Sequence, residues 1–209
     1  MATSTMTMQK APTGRPIHST MLTELDRFEK EARQQNNPQL YLQLLSPLHA
    51  QWHAIPTRAR RIGFLLFHWH VIEHFKALGL EAIENVQEDT VADFTPPGGK
   101  FDMADWGAIM DGVGDSTTLT ELEDYSQAIE GWHNEAHMAI SQVTGLDMMN
   151  PTVNVFFTEF WNLHYFINTR FEEQLRSYAD SAHPDQKLNT PTDIVRHIEK
   201  EHRGTIALI

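Results

Sequence analysis

The sequence predicts an all-helical protein: a four-helix bundle with a histidine-lined metal site in its core, a long irregular loop and a short terminal helix. Three observations favour this class. Apolar residues recur at helical spacing along most of the chain, no segment shows the alternation of a strand, and histidines recur four residues apart within predicted helices. Helical bundles build metal sites from side chains of facing helices.

The first half of the chain is predicted to form three helices after a polar, disordered tail at residues 1–20. Pro47 predicts an internal break in the second helix, because proline lacks the N–H that a helix interior needs. Thr57 is a candidate N-cap of the third helix. The predicted helices span residues 21–35, 39–55 and 58–79.

The second half begins with an irregular stretch, residues 81–118, which is predicted to be a long loop. Thr120 and Glu123 have the spacing of a capping box, and Gly145 would end the helix that follows. The predicted helices of this half span residues 120–143, 150–178 and 190–202. We therefore expect one helical metal-binding domain over residues 21–209.

Composition excludes several classes of function. The 209 residues include 16 Lys and Arg against 28 Asp and Glu, a net charge of −12, and the only basic cluster is Arg58, Arg60 and Arg61. Nucleic-acid binding needs a concentrated basic face and is not expected. The chain has no cysteine, which excludes disulfides and thiolate metal sites. Since no apolar run fits a membrane span or a signal peptide, we expect a cytoplasmic protein.

Histidine is the outlier of the composition, with 12 residues. Three pairs are spaced four apart, against about 0.7 expected from random placement. These pairs are His49 and His53, His70 and His74, and His133 and His137. Residues four apart share a helix face, so each pair can converge on one ion while another helix supplies the third ligand. His164 is a candidate, whereas His68 and His70 lie about 200° apart, so only one of them can face a given site.

The sequence segments around the paired histidines resemble a known protein family. Trp132-His133-Asn134-Glu135-Ala136-His137 is similar to the His-Asn-x-x-His copper-B motif of type 3 copper proteins, and residues 156–173 resemble the rest of that half in arthropod hemocyanins and phenoloxidases. Residues 49–56 and 64–70 look like the copper-A helices, although Asn168 replaces the family's usual Asp. The resemblance, over about residues 45–178, implies the metal ligands His49, His53, His70, His133, His137 and His164.

A narrower resemblance rests on size and architecture. A small, cysteine-free, free-standing bundle of this type is similar to the fungal hemocyanin-like cyclopenases of quinolone-alkaloid biosynthesis. That resemblance implies a zinc cofactor and a small aromatic substrate. It also implies conversion of a cyclopenin-type benzodiazepinedione epoxide to a viridicatin-type 3-hydroxy-4-aryl quinolone, with loss of methyl isocyanate.

Imidazole ligands alone do not choose the metal, so three interpretations remain open. Zinc indicates a non-redox lyase, two copper ions indicate an oxidase of phenols or catechols, and the third interpretation is a non-catalytic oxygen- or metal-binding protein. The oligomeric state is also left open.

Three residues are candidates for the catalytic machinery. Glu130 shares a helix face with His133 and is the first candidate for a general acid or base. Alternatively, its carboxylate forms a hydrogen bond that orients a ligand imidazole. The family resemblance suggests that Asn134 positions a bound water. His74 is a candidate for a hydrogen bond to a ligand or a contact with substrate.

Overall fold

The computed structural model describes residues 17–56, 61–94, 96 and 114–201. Within these residues there are seven α-helices and two 3-10 segments, and no strand, which confirms the all-helical class. The α-helices are α1 (Ile17–Gln34), α2 (Leu40–His53), α3 (Gly63–Ala77), α4 (Leu80–Ile83), α5 (Leu119–Thr144), α6 (Thr158–Ala182) and α7 (Pro191–Glu201), and the 3-10 segments are Glu88–Phe94 and Asn154–Phe156. None of the described helices combines the length and the apolar character needed to cross a bilayer.

Helix α6 lies at the centre of the packing. It contacts α3, α5, α7 and both 3-10 segments. Phe160 and Trp161 of this helix are fully buried, and the Trp161 ring stacks on Phe75 of α3 with 3.7 Å between ring centroids. Burying an aromatic side chain of this size stabilises the fold by roughly 3 kcal/mol. Helix α6 therefore fixes the neighbouring helices, and with them the histidines that they carry.

Several helix boundaries differ from the sequence predictions. Helix α1 begins at Ile17, so residues 17–20, which were predicted as tail, are helical. Helix α2 runs through Pro47 without a break, because the fixed φ of proline is compatible with a helix and only one backbone hydrogen bond is lost. Helix α6 begins at Thr158, after a turn and a 3-10 segment. The predicted cap Thr57 lies outside the described residues.

The predicted long loop is partly helical. Residues Leu80–Ile83 and Glu88–Phe94 form short helices, whereas residue 95 and residues 97–113 lie outside the described ranges. The side chain of Asn162 on α6 holds this region in place. Its Oδ1 accepts the backbone N–H of Gln87 at 2.6 Å, and its Nδ2 donates to Oγ1 of Thr90 at 3.0 Å. The buried amide thus fastens the start of the loop to the central helix.

The capping box of α5 lies two residues before the predicted pair Thr120 and Glu123. Oγ1 of Thr118 accepts the backbone N–H of Glu121 at 3.3 Å, and the Glu121 carboxylate accepts the N–H of Thr118 at 2.9 Å. Both pairs fit the same sequence pattern, so spacing alone does not separate them. Gly145 ends the helix with φ of 77°, a left-handed conformation that glycine adopts without strain, as predicted.

We expect Thr118→Ala to lower the free energy of unfolding by about 1 kcal/mol, because the substitution removes the N-cap acceptor. Urea denaturation followed by circular dichroism measures the change. Thr120→Ala is the matched control. Thr120 lies inside the exposed first turn, where alanine favours the helix, so its loss of stability should stay below about 0.5 kcal/mol. A larger loss of stability for Thr120→Ala than for Thr118→Ala would show that Thr120 is the N-cap residue.

Candidate metal centre

Six histidine side chains from four helices meet in the interior. They are His49 and His53 of α2, His68 of α3, His133 and His137 of α5, and His164 of α6. The structure contains two groups whose ligand atoms all lie within 4.8 Å of one another, and His68 belongs to both. These groups are His49, His53 and His68, and His68, His133 and His164. Among the described residues, both groups able to hold an ion consist of imidazoles only.

Backbone carbonyls fix the orientation of four of these rings. Nδ1 of His68 lies 2.8 Å from the carbonyl oxygen of Phe64, and Nδ1 of His164 lies 2.7 Å from that of Phe160, each one turn earlier in the same helix. The other two rings bond to loop carbonyls: Nδ1 of His49 to Pro151 at 3.1 Å, and Nδ1 of His137 to Met148 at 2.6 Å. A carbonyl only accepts, so each Nδ1 carries the proton and each Nε2 carries a lone pair.

The Nε2 atoms face one another at short distances. His53 can donate to Nε2 of His49 at 3.0 Å, and His133 can donate to Nε2 of His164 at 3.1 Å. The contact between Nε2 of His49 and Nε2 of His68, at 3.4 Å, joins two lone pairs without a proton between them. Two imidazole nitrogens bound to one tetrahedral zinc ion lie about 3.3 Å apart. The donor set and its spacing therefore fit a cation.

Aromatic side chains pack around the cluster, and burial favours the neutral form of several of its histidines. Phe64 packs 4.6 Å from the His68 ring, and Phe160 stacks 3.9 Å from that of His164. Burial holds the pKa of His68, His133 and His164 well below the ordinary value. Neutral imidazole is the form that binds metal, so at neutral pH no proton competes for these nitrogens.

Burial also disfavours the charged form of His137. It lowers the pKa of His137 to about 4, against an ordinary value of 6.5. Nε2 of His137 is buried and makes no hydrogen bond within the described part of the chain. This nitrogen is therefore available to an ion or to a bound molecule.

The structure replaces the predicted ligand His70 with His68. On α3, Phe64, His68 and Phe75 share one face, because residues four or seven positions apart lie on the same side of a helix. His70 points away from that face, and its Nε2 lies 2.7 Å from Oε1 of Glu199 on α7. The residues one turn before His70, Leu66 and Phe67, are also fully buried, so apolar spacing alone does not separate the two histidines.

His74, predicted as catalytic, also lies away from the cluster and joins α3 to α1. Its Nδ1 is 2.6 Å from Oε2 of Glu29, and its Nε2 is 3.6 Å from Oδ1 of Asp26. Burial by itself would raise the pKa of Glu29, but hydrogen bonds from Arg33 and His74 bring it below the ordinary value. The structure thus gives His74 a helix-packing contact in place of the predicted contact with ligand or substrate.

A partly open pocket of about 120 Å³ lies beside the cluster. Its lining includes three cluster imidazoles, those of His53, His133 and His137. Apolar atoms of Met148, Met149 and Pro151 and the amides of Asn134 and Asn154 complete the lining. The predicted catalytic residue Asn134 can therefore contact a molecule in the pocket. No sequence pattern singles out Asn154, which sits in the short 3-10 segment before α6.

The remaining predicted catalytic residue, Glu130, is a buried carboxylate of α5. Its side chain is 1% exposed and lies one helical turn before His133. It is not among the described residues that line the pocket. Glu130 therefore belongs to the interior of the helix that carries two cluster histidines, and Asn134 to the rim.

Comparisons with models of protein families, with curated proteins and with solved structures find no match for this chain. The resemblance to type 3 copper proteins therefore stays a prediction from the sequence. The structure itself shows an all-helical fold with two groups of buried histidines that can hold a metal ion.

We expect His68→Ala to abolish metal binding, because this imidazole belongs to both groups of potential ligands. His70→Ala should retain the metal and lower the free energy of unfolding by about 1 kcal/mol, through loss of the half-buried contact with Glu199. Elemental analysis after dialysis measures bound metal, and circular dichroism verifies folding. Loss of metal from the His70 variant alone would restore the original ligand assignment.

We expect acid to destabilise the metal-free protein between pH 6.5 and pH 4. His137 has a lower pKa in the folded state than in the unfolded chain, so the unfolded chain takes up the proton first as pH falls. Stability is complete above pH 6.5, and His137 alone should account for a loss of about 2 kcal/mol at pH 5. Urea denaturation at pH 7.5 and pH 5 measures the loss. In His137→Gln the loss of unfolding free energy between these two pH values should be smaller by about 2 kcal/mol. A loss equal to that of the wild-type protein would show that His137 does not titrate in this range.

Proposed function

We propose that this chain is a zinc-dependent lyase that acts on a small aromatic substrate beside the histidine cluster. The observation that carries the proposal is a set of buried and half-buried imidazoles whose Nε2 atoms converge next to a partly open pocket. The helices that supply the ligands, α2, α3, α5 and α6, would then form the core of a four-helix bundle of the hemocyanin type.

Zinc fits this cluster in both donor type and charge. Three neutral imidazoles leave the full double charge on the ion and one coordination position for another ligand. A bound zinc ion would supply Lewis acidity toward a carbonyl or epoxide oxygen, without redox chemistry. His68 belongs to both groups, and one Nε2 binds one ion, so we propose that a single zinc ion occupies the cluster.

The pocket favours an aromatic substrate. Its volume of about 120 Å³ is enough for one aromatic ring, with the rest of the molecule extending toward the opening. The side chains of Met148 and Met149 form its apolar wall, and methionine adapts to irregular shapes and contacts aromatic rings favourably. The imidazoles that also line the pocket would bring the reacting group close to the metal.

Within this class we propose a cyclopenin-type benzodiazepinedione epoxide as the substrate. The products are a viridicatin-type 3-hydroxy-4-aryl quinolone and methyl isocyanate, which together contain all atoms of the substrate. The resemblance of the segments around His49 and His133 to hemocyanin-like proteins supports this choice. In the reaction, the exposed amide of Asn134 would hold a polar group of the substrate at the rim. The buried carboxylate of Glu130, which does not line the pocket, would help to orient a ligand imidazole of α5.

A dinuclear copper oxidase of phenols is the second candidate function. The observation that favours it is the number of imidazoles, since six histidines allow three ligands for each of two ions. In that arrangement His137 would complete the second set in place of the shared His68. The two candidates differ in the number and identity of the metal ions and in their need for oxygen.

We expect purified protein to contain about one zinc per chain and to convert a cyclopenin-type epoxide to the quinolone without oxygen. Elemental analysis and anaerobic assays with mass-spectrometric detection of both products measure these properties. His164→Ala should lose both metal and activity, whereas the control His183→Ala, at the end of α6 and outside the cluster, should keep them. Two copper ions per chain with oxygen-dependent phenol oxidation would replace the lyase by the oxidase.

A further inference from the structure

Asn154 is a buried polar residue of the pocket wall. It lies in the 3-10 segment before α6, is 2% exposed, and lines the pocket together with His137. Its Nδ2 donates to the carbonyl oxygen of Met148 at 3.1 Å. Its Oδ1 is buried and makes no hydrogen bond to any residue that the structure describes.

The orientation of this amide is determined by its neighbours. The Met148 carbonyl also receives Nδ1–H of His137 at 2.6 Å, and a carbonyl oxygen only accepts. Reversing the Asn154 amide would bring two oxygen atoms together, so the NH₂ group must face Met148. Oδ1 is therefore held as an acceptor on the side away from Met148. Folded proteins rarely leave such a buried acceptor without a donor.

No described residue of the pocket donates to Oδ1 of Asn154. Nε2 of His137 carries a lone pair because its proton lies on Nδ1. Met149 and Pro151 have no side-chain donor. Asn134, His53 and His133 also line the pocket and carry donors, but none of them bonds to Oδ1 of Asn154. A molecule that lies next to Asn154 therefore meets an acceptor that its own donor can satisfy.

We propose that Oδ1 of Asn154 accepts a hydrogen bond from an amide N–H of the substrate and thereby determines specificity. This inference rests on the proposed function, because it concerns the substrate of the same pocket. A substrate with a free ring N–H would bind with this acceptor satisfied. An N-alkylated analogue would bury the acceptor without a partner, and sites built on such hydrogen bonds reject analogues that lack the donor.

The test uses the zinc-loaded full chain and two probes, 3-hydroxy-4-phenylquinolin-2(1H)-one and its N-methyl derivative. Isothermal titration calorimetry measures the dissociation constant of each. We expect the wild-type protein to prefer the N–H probe by about tenfold or more. Asn154→Ala should reduce this preference to below about threefold, because it removes the acceptor and leaves room for a methyl group.

Two further variants make the comparison specific to Asn154. Met149→Ala changes the same pocket without touching a hydrogen bond and should keep the tenfold preference. Asn154→Ser retains a hydroxyl donor for the Met148 carbonyl, so it remains a usable test if the alanine variant does not fold. We expect it to lose the preference for the N–H probe as well. Zinc content and circular dichroism verify each protein.

Each outcome decides between distinct conclusions. Equal binding of both probes to the wild-type protein overturns the role of Asn154 and leaves the proposed function in place. A preference that persists in both Asn154 variants also overturns that role, since another group must then recognise the N–H. Binding of neither probe to the zinc-loaded protein overturns the proposed function and this inference with it.

Discussion

The structure depends on one electrostatic constraint, the convergence of imidazole lone pairs in the helical interior. Carbonyl oxygens hold the Nδ1 protons of His49, His68, His137 and His164, so their Nε2 lone pairs are committed to the interior. Without a cation, the contact between His49 and His68 has no proton to share. A metal ion accepts these lone pairs and turns an unfavourable arrangement into a bonded one.

The histidines of α3 lie on two sides of the helix. His68 and its aromatic neighbours face the cluster, whereas His70 and His74 contact carboxylates of α7 and α1. The helix thus connects the histidine cluster to α1 and α7. An ion held by this cluster would couple its binding to folding, because each potential ligand belongs to a helix that must be in place before the ion can bind.

Sequence spacing was sufficient for much of the fold and part of the site. Histidines four apart share a helix face whatever the tertiary structure, and His49 with His53 and His133 with His137 lie together in the cluster as the periodicity predicts. His70 and His74 have the same spacing, but they contact carboxylates of α7 and α1. The choice between His68 and His70 depends instead on which side of α3 faces the cluster, and the family pattern favours His70, which lies outside it. Asn154 could not be predicted, since its role depends on a turn that brings the Met148 carbonyl beside it.

Anomalous diffraction from crystals of the zinc-loaded protein, recorded at the zinc edge, tests the central claim most directly. The account predicts a peak about 2.1 Å from Nε2 atoms of at least three cluster histidines, with His68 among them. A peak elsewhere would contradict it, for example between His183 and His197, whose Nε2 atoms lie 3.2 Å apart. The cluster histidines would then be bonded only to one another, and their convergence would be a feature of packing alone.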